Sequence, residues 1–234
     1  MSKKNIISIH QPGYLPWLSF FRKIVEADVF VFLDDSQYEK NGWQNRNKIK
    51  VNGQSSWITV PVHADMSMKL NEIKVVQNTD WREKHCKAFE INYSKAKFFQ
   101  EYWNELENIY QKNHEFLIEL NIDLIKFILK KNGITKKIIK SSELNIQEKG
   151  SKRILEICKS FNADTYISGM GLPDKKYLDV DDFKQNQIKI EFQNFVYPQY
   201  NQIGDNFVSN LSIIDLLFNE GSNLMKILLT SKIN

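Results

Sequence analysis

The chain has 234 residues, 42% hydrophobic and 26% charged, ordinary for a soluble globular protein of one large domain or two intimate ones that buries a full core without staples. Its 32 basic and 28 acidic residues are interspersed, so the net charge of +4 carries no nucleic-acid signature and only a weak preference for acidic ligands. Cys86 and Cys158 sit in helical patterns without metal-ligand spacing, which fits reduced, buried thiols.

The basic start Met1-Ser2-Lys3-Lys4 precedes an apolar run that Ser8 interrupts and His10 and Gln11 stop, too short for a signal peptide. Lys126 and Asp215 break the later apolar runs below membrane-spanning length. A cytoplasmic protein without membrane insertion is expected.

In chain order, Asn5–Ile9 reads as a short β-branched strand, His10-Gln11-Pro12-Gly13-Tyr14-Leu15-Pro16-Trp17 as a loop, the next stretch to Ala27 as an amphipathic helix, and Val29–Leu33 as a second strand. This is a βαβ unit. Ligands of such units bind beyond the carboxyl ends of the strands, here marked by His10 and by Asp34 with Asp35. Two prolines stiffen the loop, and a helix starting near Pro16 turns free N–H groups toward the same space, which suits an anion.

The polar, aromatic stretch from Ser36 to Asn47 reads as a binding loop with a turn at Asn41-Gly42, and Asn45 and Arg46 offer amide and guanidinium donors. Lys48–Val51 and Ser56–Val62, joined through Asn52-Gly53, predict a β-hairpin with Trp57 on its non-aliphatic face. From Asp80 to Gly133 the period becomes helical. Asp80 is placed to cap the first of three helices, Gly133 to stop the last, and the block is expected to pack closely on the α/β part. His85 shares a helix face with Trp81 and is the one histidine of this block singled out; His63 and His114 lack sequence partners.

The last third returns to α/β: strand Lys136–Lys140, helix Ser151–Phe161, and strand Thr165–Ser168 running into Gly169-Met170-Gly171 and a polar loop to Tyr177. A final strand, Ile188–Phe195, leads to the stiff aromatic loop Tyr197–Gln202, which contains Tyr200 and Gln202. A terminal helix follows Ser212, with Asp215 inside its apolar stretch and expected to bond a neighbouring loop. The reading is three segments: 1–78, a βαβ unit plus hairpin; 79–133, helical; and 134–234, an α/β half completing the sheet.

Several motifs together carry a resemblance: His10-Gln11-Pro12-x-Tyr14-Leu15-Pro16-Trp17, Asp35-x-Gln37-Tyr38, Asn45-Arg46, Trp57-x-x-x-Pro61-Val62, Trp81-Arg82-x-x-His85, Tyr166-x-Ser168-Gly169 and Leu211–Leu217. Nearly the whole chain is similar to WbqC-like proteins, known mainly from bacterial clusters for O-antigen and related lipopolysaccharide or surface-polysaccharide biosynthesis. The resemblance implies a transferase moving an acyl or aminoacyl group from a phosphopantetheinyl carrier-protein thioester to the amine of a nucleotide-linked 4-amino-4,6-dideoxy sugar. Such a transfer needs no permanently bound cofactor, no metal and no covalent enzyme intermediate. The first strand, loop, helix and strand also resemble the nucleotidylyltransferase layout, without its second loop histidine or its lysine-serine signature. The expected fold is therefore α/β, with a mostly parallel Rossmann-like, nucleotidylyltransferase-like sheet flanked by helices, a hairpin excursion and a helical subdomain.

Amine acylation from a thioester needs a base, oxyanion donors and orientation of both substrates. His10 is the candidate base, with His85 the second candidate catalytic residue. Backbone N–H groups of the loop, or Asn45, are the candidate oxyanion donors; Asp35 and Gln37 would hold sugar hydroxyls, and Arg46 a phosphate. Gln11, Tyr14, Trp17, Asp34, Trp57, Ser168, Gly169, Tyr177, Tyr200 and Gln202 complete the candidate binding set. Two other readings stay open: a nucleotidylyl-type transferase with Mg²⁺ on Asp34 or Asp35, and a non-catalytic carbohydrate-binding protein.

Overall fold

The computed structural model describes residues 4–169 and 177–230. Five strands form one parallel sheet: β1 (Ile6–His10), β2 (Val29–Phe32), β7 (Lys137–Lys140), β8 (Thr165–Ser168) and β9 (Lys189–Phe192), in the order β7-β2-β1-β8-β9. The interior strand β2 is Val-Phe-Val-Phe with every residue buried, the continuous apolar run of a strand covered on both faces. Its alternation divides the core in two. Phe30 and Phe32 face a large cluster with Leu18, Phe20, Phe21 and Ile24 of α1 (Leu18–Glu26), whereas Val29 and Val31 face a smaller one with Leu155, Ile157 and Cys158 of α5 (Gly150–Ser160) and Phe183 of α6 (Val180–Gln185).

The hairpin of β3 (Arg46–Val51) and β4 (Gln54–Thr59) turns on Asn52 and Gly53, whose φ values of 48° and 73° are those a two-residue type I′ turn requires. Val62, read in sequence as the end of that hairpin, instead pairs with Val75 as part of β5 (Val62–His63) and β6 (Lys74–Val75). Three helices follow, α2 (Trp81–Tyr93), α3 (Phe99–Gln111) and α4 (Leu117–Lys131). Gly133 terminates α4 at φ 64°, with Ile134 N–H closing on the Leu129 carbonyl. Asp80 does not cap α2 with its side chain; its carboxylate pairs with Lys84 at 2.9 Å on the surface.

These helices have no separate core. Tyr93, Trp103, Leu106, Tyr110, Leu124 and Ile128 belong to the same apolar cluster as α1, the hairpin residues Ile49 and Ile58, and the terminal helices α7 (Ile213–Glu220) and α8 (Leu224–Thr230). The helical block is thus a layer over one sheet face. Among the described residues, no helix is long and apolar enough to cross a membrane.

Candidate functional site

The chain leaves β1 toward β2 on one side of the sheet, while β8 and β9 extend it on the other, so the strand order reverses between β1 and β8. Loops diverge at such a switch point and open a crevice at the carboxyl ends of the strands. His10 ends β1, and Ser168 with Gly169 ends the neighbouring β8. The two strand ends, equivalent in the sequence pattern, belong to neighbouring strands; Ser168 is buried and Gly169 partly exposed, and neither is in the wall of the cleft at His10. Residues 170–176 of the following loop lie outside the described residues, and Tyr177 beyond them is 76% exposed.

A cleft of about 190 Å³ opens above His10, lined by Gln11, Gly13, Pro16, Trp17, Phe20, Glu39, Trp43 and Gln44. The loop that forms it is fastened from every part of the chain. Tyr14 N–H donates to the Trp43 carbonyl at 3.1 Å, and Asn121 of α4 bonds the Pro12 carbonyl at 3.0 Å. Asn47 of β3 bonds the Tyr14 and Leu15 carbonyls at 3.2 and 2.7 Å, while Ser212 and Ile213 at the start of α7 bond those of Leu15 and Pro16 at 2.9 and 3.0 Å. Gly13 passes so close to Trp43 that a Cβ there would stand 3.0 Å from its carbonyl oxygen. Leu15 is held at φ 43°, a left-handed conformation that a branched side chain rarely adopts and that surrounding contacts must impose.

His10 is partly exposed to this cleft. Its Nδ1 lies 2.8 Å from the Gln11 carbonyl, which can only accept, so Nδ1 carries the proton and the neutral ring presents a bare Nε2. No partner for Nε2 exists among the described residues. Edge contacts with Trp17 and Phe20, at 6.0 and 5.3 Å between ring centroids, hold the ring. Burial, reinforced by the positive charge of Lys23, lowers the His10 pKa to about 3, so the imidazole is neutral at pH 7.

The structure sends the other candidates to different places. His85 is buried behind the loop and absent from the cleft wall: its Nδ1 bonds the Tyr14 hydroxyl at 2.8 Å, and the Thr59 backbone accepts from the ring. Burial lowers its pKa to about 4. Tyr14 is fully buried and also bonds the Tyr110 hydroxyl, so its phenol faces the interior and only its backbone shapes the loop. Asn45 donates to the Val60 carbonyl at 2.9 Å and fastens the hairpin; it is buried and does not line the cleft. Gln37 donates to the Met66 carbonyl at 2.7 Å at the surface.

Asp34 and Asp35 are directed toward β7, away from the switch point. Asp34 accepts from Ser142 N–H and hydroxyl at 3.0 and 2.7 Å; Asp35 accepts from the Ser141 hydroxyl and from Arg153 at 2.5 Å. Burial raises the Asp35 carboxyl, but the Ser141 and Arg153 bonds outweigh it and hold the pKa below the usual range. Both carboxylates lock the end of β2 to the loop after β7. Tyr200 bonds the buried Asp215 at 2.8 Å, opposite Tyr93 at 2.8 Å, while Gln202 braces its own loop through the Val208 backbone. The expectation that Asp215 fastens a neighbouring loop is met through a tyrosine hydroxyl rather than backbone.

Gln11 and Trp17 remain in the cleft wall, with Gln11 accepting from Gln44 at 2.8 Å. Glu39, Trp43 and Gln44 are wall residues that the sequence reading did not single out. The available signal was the Asn41-Gly42 turn: Asn41 at φ 66° and the 2.9 Å Gly42 N–H bond to the Glu39 carbonyl fold this stretch back over the His10 loop. Beyond Trp43 lies Trp57, with Arg46 and Lys48 over its ring at 4.3 and 4.9 Å.

Fold and cleft define a parallel α/β protein that presents a rigid histidine loop at its topological switch point. The sequence profile of the WbqC-like protein family matches residues 11–227, and the chain belongs to that family. An uncharacterised protein of Mycobacterium tuberculosis (strain ATCC 25618 / H37Rv) is 34% identical over 220 residues, covering 92% of this chain and 94% of the relative. No solved structure matches the chain.

Proposed function

We propose that the protein is a transferase of surface-polysaccharide biosynthesis that moves an acyl or aminoacyl group from a carrier-protein thioester to the amine of a nucleotide-linked 4-amino-4,6-dideoxy sugar. The observation that carries this reading is the neutral His10 ring, fixed through Nδ1 and lining the cleft with Nε2 unclaimed. The amine nitrogen attacks the thioester carbonyl carbon, the C–S bond breaks, and the amine proton passes through His10 Nε2 to the departing thiolate. At pH 7 the ring is unprotonated and free to take the proton that the tetrahedral intermediate must lose, and a base this weak relays it to the thiolate rather than retaining it.

Glu39 at the cleft rim attracts the incoming amine. The first amides of α1, which have no side-chain cap, serve the developing oxyanion. The test is mass spectrometry of reactions containing the amino-sugar nucleotide and a panel of acyl and aminoacyl carrier-protein thioesters, with and without EDTA. A gain of one acyl mass, unaffected by EDTA and lost in His10→Asn, is expected. An active His10→Asn enzyme would remove His10 as base, and pyrophosphate release from a nucleoside triphosphate and a sugar phosphate would replace acyl transfer with nucleotidylyl transfer.

A further inference from the structure

Trp43 belongs to the cleft wall and also begins a feature that leads away from it. Its ring meets Trp17 at 5.2 Å on the cleft side and Trp57 at 5.0 Å on the other, and Trp43 and Trp57 are 40% and 43% exposed. Two adjacent tryptophans this open to water are an unusual surface, because large apolar rings gain most from burial. Both are held firmly. Trp43 is tied to the histidine loop through its carbonyl, and Trp57 sits directly opposite Lys48 in the β3–β4 register.

The charges around Trp57 are of one sign. Arg46 donates through Nε and Nη2 to the Gly42 and Asn41 carbonyls, which fixes the guanidinium plane over the indole and leaves Nη1 without a partner among the described residues. Lys48 Nζ lies over the same ring. Among the described residues neither cation pairs with a carboxylate. A sugar-stacking shelf would need acceptors for hydroxyl groups, whereas this one offers flat π surface beside two uncompensated positive charges. That combination fits a ligand with a planar ring and a neighbouring anion.

We propose that Trp43, Trp57, Arg46 and Lys48 form a subsite for the nucleoside diphosphate half of the substrate, its base stacked on the exposed indole surface of the pair and its phosphates held by Arg46 and Lys48. The subsite rests on the transferase reading only in placing the sugar toward His10; nucleotide binding here stands without it. Base stacking on an exposed aromatic ring is tolerant of base identity, so the shelf selects for a nucleotide before it selects which one.

Isothermal titration of the intact protein with UDP, dTDP, CDP and GDP tests this, with uridine and pyrophosphate as the two halves. At least one nucleoside diphosphate should bind at least tenfold more tightly than either half, and more weakly as salt rises. Trp43→Ala should weaken it at least tenfold. Lys48→Gln, at a partly exposed strand position where refolding is not at risk, should weaken it severalfold and flatten the salt dependence. His10→Asn should bind nucleotide as the parent does, which separates failure of the shelf from failure of the base. No binding by any of the four diphosphates, pyrophosphate binding as tightly as UDP, or unaltered affinity in both shelf variants would overturn the proposal.

Discussion

Replacing Tyr14 by Phe tests how the histidine loop is held. The Tyr14 side chain is fully buried, so the substitution keeps the ring contacts and removes only a hydroxyl. Thr59 accepts from His85, which makes the Nδ1 of the neutral ring an acceptor. Tyr14 must therefore donate to His85, and Tyr110 must donate to Tyr14. Tyr14→Phe strands two buried polar groups, His85 Nδ1 and the Tyr110 hydroxyl, each costing about 1–3 kcal/mol, so about 2–6 kcal/mol is expected. Tyr110→Phe removes one donor and leaves the Tyr14 bond to His85 intact, for about 1 kcal/mol. Urea unfolding at neutral pH reads both as midpoint shifts with unchanged slopes. If Tyr110→Phe costs as much as Tyr14→Phe, the direction of this chain is wrong and with it the assigned His85 tautomer.

Acid should destabilise the protein before its carboxylates titrate. His85 and His10 bind protons at about 4 and about 3 in the fold, against about 6.5 when unfolded, so the unfolded chain takes up protons first. Their contribution is complete above about pH 6.5 and declines as pH falls toward 4, by up to about 1.4 kcal/mol per pH unit for each group. Urea midpoints at pH 7.5, 6.0 and 5.0 should fall in that order, and a flat profile would contradict the buried neutral rings. Two glycines at similar positive φ should respond differently to alanine, since Gly221, with ψ −132°, also lies outside the left-handed well that other residues can enter. At Gly133, φ 64° with open space around it, the cost is the backbone strain alone, about 1 kcal/mol. At Gly221, φ 58°, the new Cβ would stand 2.7 Å from the Phe98 ring, adding about 1–3 kcal/mol. Thermal unfolding of the two variants measures the difference.

The parts of this fold legible in the sequence are those whose cause is local. The β-branched run before His10, the Asn52-Gly53 turn and the Gly133 stop each act within a few residues, and the structure contains all three. The repeated βαβ pattern put His10 and Gly169 at equivalent strand ends, and the fold makes those strands neighbours, but the wall of the His10 cleft comes from other loops. Hydrogen-bond partners were not legible. Asp34 and Asp35 follow a strand at the expected end, yet their carboxylates are engaged by Ser141, Ser142 and Arg153, more than 100 positions along the chain. His85 and Tyr14, 71 positions apart, look like two site residues in sequence and are one buried bond in the fold. A motif shows that a side chain matters without showing which way it faces.

That limit bears on how the loop works. Asn47, Asn121, Ser212 and Tyr14 are all polar residues with little exposure, and each contributes a bond that fixes a loop backbone atom or side chain in place. They come from β3, α4, the start of α7 and the loop itself, so the His10 geometry depends on segments far apart in the chain being assembled. Such over-determination is what sustains Leu15 at φ 43° against its intrinsic preference. It also positions the imidazole before any substrate arrives, so no binding energy is needed to order it. Under the proposed chemistry, substitutions at Asn47 or Asn121, which do not touch the cleft, should therefore lower kcat more than they raise KM, because they loosen the base without removing a substrate contact.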